Sequence, residues 1–219
     1  MSQQLDLQEQ EQLDALKAFW KQYGNWLTWA LILVLGAYSA WNGWNYYQRR
    51  QAEQASAMFD ELDRAAQASD TDKVNRVFAD LRDRYPKAPI TAQGGLTAGK
   101  MLAEKGQSEQ AKQSYAWVAD SATDDDVRAL ARLRWSGVLL DEKKFDEALK
   151  VLEGVKNSSM DALVADRRGD ALLLSGKKNE AVAAFRSAWQ ALPETVDYRK
   201  LVEAKLTALG AAPDAGVPK

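Results

Sequence analysis

The sequence predicts an all-α chain: a single N-terminal transmembrane helix followed by a solenoid of helical hairpins. Three observations carry this. Trp20, Trp26, Trp29, Trp41 and Trp44 place five of the 8 Trp in one short window. No charged residue lies between Lys21 and Arg49. Beyond Arg49, the helix formers Ala, Leu, Glu, Lys, Gln and Arg dominate, and runs of alternating Val, Ile and Thr are missing.

Composition narrows the function before any motif is read. The 219 residues carry 29 Lys plus Arg against 31 Asp plus Glu, a net charge of -2. A nucleic-acid partner wants a basic stripe, so none is expected. The chain has no Cys and no His. That removes disulfides, thiolate metal sites, cysteine nucleophiles and the usual general base. A non-enzymatic binding scaffold is expected, with no cofactor and no metal.

Residues 1–21 form a short acidic tail, with Asp6, Glu9, Glu11 and Asp14 against Lys17 and Lys21. The whole -2 lies there, and the rest of the chain is balanced. Leu5, Leu13, Leu16, Phe19 and Trp20 have partial helical spacing. A short amphipathic helix and a frayed terminus both fit.

Residues 22–48 read as a transmembrane anchor. Leu27 to Tyr47 spells LTWALILVLGAYSAWNGWNYY. As helix, that stretch spans about 31 Å, against roughly 30 Å of bilayer hydrocarbon. Trp26 and Trp29 stand at one end, and Trp41, Trp44, Tyr46 and Tyr47 at the other, as aromatic belts do. Arg49 and Arg50 can reach headgroup phosphates. The acidic residues ahead of it and the poor cleavage site at 37–40 favour an uncleaved anchor over a signal peptide. Lys and Arg counts are nearly equal on the two sides, so charge does not set its orientation. Gly36 and Ala40 form a small-xxx-small pair with Gly43 nearby, a candidate face for a neighbouring helix.

Residues 49–209 predict helices near 50–68, 73–84, 90–104, 108–120, 125–141, 145–155, 160–174, 178–191 and 195–209. Residues 210–219 read as a flexible C-terminal tail. A pattern recurs at steps of 37 and 33 residues, anchored on Ala111, Ala148 and Ala181. Gly99, Ser136 and Gly169 precede these by twelve residues, and Tyr115, Leu152 and Phe185 follow by four. A fainter unit is anchored on Val74, with Leu62 before it and Phe78 and Leu81 after it. The small residues let the two helices of a hairpin approach, and Leu102, Leu139 and Leu172 fill the volume between them. Gly106 and Gly176 suit the left-handed residue that ends a first helix. The middle unit has Asp141-Glu-Lys-Lys there and must turn without glycine. Ser108 is a candidate N-cap. This pattern resembles the tetratricopeptide repeat, which implies a hairpin solenoid with a binding groove.

Candidate binding residues follow from that groove. Arg132, Arg134, Arg167 and Arg168 are candidates for accepting partner carboxylates, against the alternative of ordinary surface charge. Trp117 and Trp189 are candidate partner anchors, against packing between hairpins. Asp124, Asp125 and Asp126 fit a solvated loop and helix N-terminus better than a metal cluster.

Over nearly its full length the chain resembles the ancillary SecYEG translocon subunit family. Phe19-Trp20, the Trp-Asn/Tyr-Tyr run ending at Tyr47, Tyr85 with Ala92 to Leu96, and LVADRRGDALLLSG from Leu163 to Gly176 carry the resemblance. Arg167-Arg168 stand where Leu-Arg is usual. The resemblance implies a single-pass protein of the cell inner membrane, N-terminus cytoplasmic and repeat domain periplasmic. Its implied partners are the SecYEG channel, a membrane-anchored periplasmic prolyl-isomerase-like chaperone and translocating polypeptides, with self-association open. The implied role is hand-over or chaperoning of translocated envelope proteins. The alternative is negative regulation of an envelope stress-response regulator. Gly36, Ala40 and Gly43 would then face the channel.

Overall fold

The computed structural model describes residues 7–155 and 159–213. The backbone there is helical: α1 (Leu7–Gln67), α2 (Thr71–Arg84), α3 (Pro89–Glu104), α4 (Ser108–Ser121), α5 (Asp125–Asp141), α6 (Phe145–Glu153), α7 (Asp161–Leu174), α8 (Lys178–Ala191) and α9 (Tyr198–Ala208). The expected helices from 73 to 191 reappear within a few residues. The last one is shorter than expected, because Pro193 and the turn through Val196 delay its start. Residues 1–6 of the expected tail and 214–219 of the expected C-terminal tail lie outside the described residues.

Contacts divide the chain into two units, Met1–Gln51 and Ala52–Lys219. In the first unit the tail is helix from Leu7 onward, with Leu13, Leu16, Phe19 and Trp20 exposed along it. The transmembrane anchor expected at 22–48 is not supported. Among the described residues no helix is long and apolar enough to cross a membrane. Length is not what fails, since α1 has 61 residues. Apolarity fails: the strong aliphatics are Leu27 and the run Leu31 to Leu35, and around them stand Trp, Tyr, Asn, Ser and Gly, which gain little on leaving water. Absence of charge is not the same as hydrophobicity. The side chains of this stretch are exposed, Trp26 at 72% and Leu33 at 71%. Two of its polar side chains bond locally along the helix: Thr28 Oγ1 donates to the Gly24 carbonyl at 2.7 Å and Asn42 Nδ2 to the Tyr38 carbonyl at 3.1 Å.

The second unit is a tetratricopeptide-like solenoid. Helices α3 and α4, α5 and α6, and α7 and α8 pack pairwise, and α3 also lies against α5, and α5 against α7. The end of α1 joins α2 through Leu62 and Ala65, which share one core with Val74, Phe78 and Leu81. Four turns between helices are built alike, and the end of α9 at Gly210 closes the same way. Residues 69, 106, 143 and 176 all have positive φ, at 58°, 75°, 61° and 82°. At each, the next amide donates back five residues: Asp70 to Ala65 at 3.0 Å, Gln107 to Leu102 at 2.8 Å, Lys144 to Leu139 at 2.8 Å and Lys177 to Leu172 at 2.9 Å. This is a Schellman closure, and it satisfies carbonyls the helix end leaves free. Ser69 and Lys143 do it without glycine.

Close approach within hairpins has the cause the sequence implied. A Cβ on Gly99 would meet the Tyr115 ring at 2.5 Å, and one on Gly169 would overlap the Phe185 ring. Tyr115 and Phe185 therefore lie across the first helix of their own hairpin as well as toward the next. Leu102, Leu139 and Leu172 are buried between the helices.

Ion pairs stitch successive hairpins. Lys112 Nζ lies 2.7 Å from both Glu109 Oε1 and Glu142 Oε2, and Lys144 Nζ lies 2.9 Å from Glu142. Burial acts to lower the Lys112 pKa, but the hydrogen bonds to Glu109 and Glu142 outweigh it and hold the ammonium well above its usual range. The same hydrogen bonds, from Lys112 and then Lys144, hold Glu142 below the usual carboxylate range.

Candidate protein-interaction groove

The first helices of the hairpins leave an open cavity of about 730 Å³. Ala52 and Ser56 of α1, Ile90 and Leu96 of α3, and Val127 and Arg134 of α5 are among its walls. Local bonding fixes that shape. Pro89 opens α3 at a position where its missing N–H costs nothing. Thr91 Oγ1 donates to the Tyr85 carbonyl at 2.7 Å, and the Tyr85 hydroxyl donates to Gln54 Oε1 at 3.0 Å. These two bonds hold the α2–α3 turn against the last turns of α1. On the other side, the Asp124 carboxylate accepts from the amides of Asp126 at 2.8 Å and Val127 at 3.1 Å, which caps α5.

Arg134 is the cation of this cavity. It is half-buried, and its Nη1 donates to the Leu96 carbonyl at 3.4 Å. The Tyr115 hydroxyl lies near it. Burial pushes the Tyr115 phenol up to about 12, with Arg134 pulling the other way and losing. Arg167 reaches over from α7, and its Nη1 comes 3.6 Å from where a Cβ on Gly137 would stand. Gly137 is one helical turn beyond Arg134 on α5. Arg134 thus stands on the stretch of α5 that Arg167 approaches from α7.

The expected site residues separate on this frame. Arg132 turns away from the groove: its guanidinium covers Gly154, its Nη2 donates to the Ala119 carbonyl at 3.4 Å, and Asp120 lies 3.8 Å off. It packs α4, α5 and α6 together. Arg168 is exposed on α7, beside the half-buried Arg167. Trp117 packs edge-on against Phe78, with ring centroids 5.7 Å apart. Trp189 is covered by Arg199, whose guanidinium carbon sits 4.0 Å from the ring centroid. Both Trp are half-buried packing residues. Gly36, Ala40 and Gly43 belong to the first unit, where a Cβ at Gly36 or Gly43 would meet nothing within 4 Å. Ser108 is not a cap. It is the first residue of α4, and Gln107 precedes it, with its Nε2 donating to Thr71 Oγ1 at 3.0 Å. Asp124 caps α5 and Asp125 and Asp126 stand in its first turn: Asp125 pairs with Arg128, and the Asp126 carboxylate accepts from the Ser159 amide at 2.9 Å and hydroxyl at 2.8 Å.

The sequence favours Arg132 and Arg168 as the binding arginines, whereas Arg134, two positions from Arg132 on the same helix, is the one on the cavity wall.

Comparison with known proteins gives one consistent result. A family model described as "Tetratricopeptide repeat-like domain" matches residues 17–211. The chain is 30% identical over 204 residues to an "Ancillary SecYEG translocon subunit" of Neisseria gonorrhoeae, covering 93% of this chain and 98% of the relative. It is 30% identical over 186 residues to the protein of that name in Escherichia coli, covering 84% and 86%. The Haemophilus influenzae protein of that name is 27% identical over 186 residues, covering 84% and 90%. Among solved structures, residues 41 to the end of MamA from Desulfovibrio magneticus superpose with a TM-score of 0.51 at 18% identity, covering 74% of this chain and 88% of that one. That likeness speaks for the fold alone.

Proposed function

The chain belongs to the ancillary SecYEG translocon subunit family, and from that premise we propose that it is a non-enzymatic adaptor working beside the SecYEG channel at the inner membrane. Its repeat domain receives polypeptide as it emerges and assists its hand-over to envelope chaperones, a prolyl-isomerase-like chaperone among them. The near full-length alignment with relatives of that name carries this reading. The open groove on the first helices supports it, because a solenoid leaves that surface free for a protein partner. Gly36, Ala40 and Gly43 lie on exposed helix with room beside them, and we assign them to the contact with the channel.

Co-purification tests the reading. Tagged full-length chain, extracted in mild detergent, is expected to bring down the channel subunits. Loss of that association on changing Gly36, Ala40 and Gly43 together to Leu is the expected signature of the contact. Purification free of channel subunits under the mildest extraction overturns the adaptor role.

A further inference from the structure

Two half-buried arginines on the first helices, Arg134 on the cavity wall and Arg167 on α7, have no carboxylate partner among the described residues. Arginine ion pairs fall at Arg82, Arg128, Arg132 and Arg199. Among the described residues none reaches Arg134 or Arg167, and both are half-buried. The acids nearby are taken. Glu104 pairs with Lys100 at 3.9 Å, and Asp166 and Asp170 are held by Lys205 at 2.8 and 2.7 Å. Arg134 bonds the Leu96 carbonyl and the Tyr115 hydroxyl, but neither is an anion, so its half-buried charge has lost water without gaining a counter-ion. Its planar fork suits a carboxylate, which it binds through two parallel bonds. The walls beside Arg134 are of another kind: Ala52, Ile90, Leu96 and Val127 offer apolar surface. A free inorganic anion would use the arginines and waste that wall. A peptide with a carboxylate among small apolar side chains uses both.

We propose that the groove binds an extended polypeptide segment by a carboxylate, with the guanidiniums of Arg134 and Arg167 as the binding pair and the wall of Ile90, Leu96 and Val127 taking the flanking apolar side chains. The occupant is a translocated chain rather than the channel, so the inference rests on the adaptor reading above and names what the adaptor grips. Arg134 sits at the end of the apolar wall, and Arg167 reaches the same helix one turn on. A carboxylate held between them would lay the flanking residues along α3.

Two nonapeptides test this against purified full-length protein by fluorescence anisotropy. One is GAVAEAVAG and the other GAVAQAVAG, each with an amidated C-terminus and a neutral fluorophore at the N-terminus. The Glu peptide is expected to bind about tenfold tighter than its Gln twin, the gain of one charge-assisted pair. Arg134→Gln and Arg167→Gln should each abolish most of that preference, while Arg168→Gln leaves it intact. Circular dichroism confirms that each variant is folded. The wild-type comparison of the two peptides needs no variant at all. Equal affinity for the two peptides, no binding of either, or a preference that survives both substitutions overturns the proposal. None of those results touches co-purification with the channel, so the two readings fail separately.

Discussion

The Tyr198 hydroxyl donates to the Asp166 carboxylate at 2.6 Å, across the joint between α9 and α7. Lys205 completes the site, 2.8 Å from Asp166 and 2.7 Å from Asp170, with its ammonium 5.0 Å from the centroid of the Phe185 ring. The Asp166 side chain is only 3% exposed. Burial, then the bond to Asp166, pushes the Tyr198 phenol far above its usual range. This cluster is how the last helix is fastened to the solenoid. A carboxylate so buried depends on its partners, so removing Lys205 costs more than an exposed pair would. Lys205→Ala is expected to destabilise the repeat domain by about 2–4 kcal/mol. Tyr198→Phe should cost about 1 kcal/mol, one hydrogen bond. Urea unfolding followed by far-UV circular dichroism measures both. A loss for Lys205→Ala within the range of an ordinary surface change would show that α9 is held by its apolar face alone.

A second prediction concerns the hairpin seams. A Cβ on Gly169 would overlap the Phe185 ring, and Phe185 is fully buried with Val202 and Leu206 behind it. Gly169→Ala therefore overpacks the seam and is expected to cost about 1–3 kcal/mol. Phe185→Leu, combined with it, should recover part of the loss by vacating the space. Non-additivity in a double-mutant cycle is the readout, and strict additivity would mean that the two positions do not meet.

A third prediction uses the turns. Lys143 occupies a left-handed position, φ 61°, that Gly106 and Gly176 fill elsewhere. Its side chain is exposed. The steric cost there exceeds the entropy glycine loses on folding, so Lys143→Gly should stabilise by about 0.5–1 kcal/mol. Gly176→Ala should destabilise by about 1 kcal/mol. Thermal melts of the two variants, shifting in opposite directions, check the assignment. Equal signs would contradict it.

The turns also mark what the sequence could and could not yield. Gly106 and Gly176 announce their turns, and the small residues at 99 and 169 announce close approach, because glycine has few other reasons to sit in a helix. The turn through Lys143 was legible only because its neighbours fixed the period. The N-terminal reading went wrong where one property stood in for another. An uncharged stretch rich in Trp and Tyr looks like an anchor, yet its apolar content is confined to Leu27 and Leu31 to Leu35. The groove was half legible. Four arginines were visible, but which of them reaches the cavity wall depends on helix phase. Trp117 and Trp189 show the same limit, since an aromatic residue reads alike whether it packs or binds.

A fourth prediction is one of pH. Glu142 has its pKa lowered by its bonds to Lys112 and Lys144. A depressed folded pKa adds stability above the unfolded value of about 4.3, and that stability is lost as pH falls through the folded value. Lys112 is raised, so its share is present below about 10.4 and is lost only as pH climbs through its folded value. Glu142→Gln should therefore be clearly less stable than wild type at neutral pH, and the gap should close on acidification below about pH 4. A gap that stays constant down to acid would remove Glu142 from the account.

The central claim is association with the SecYEG channel, and site-specific photocrosslinking in intact membranes tests it most directly. A photoreactive residue placed at Gly36, Ala40 or Gly43 is expected to crosslink to channel subunits. The same residue placed at Ile90, in the groove, should crosslink to newly translocated chains. Channel crosslinks from the first unit at 36, 40 and 43, absent from exposed positions elsewhere such as Arg168, are the predicted result. Intact membranes in which none of these positions crosslinks to a channel subunit would contradict the account.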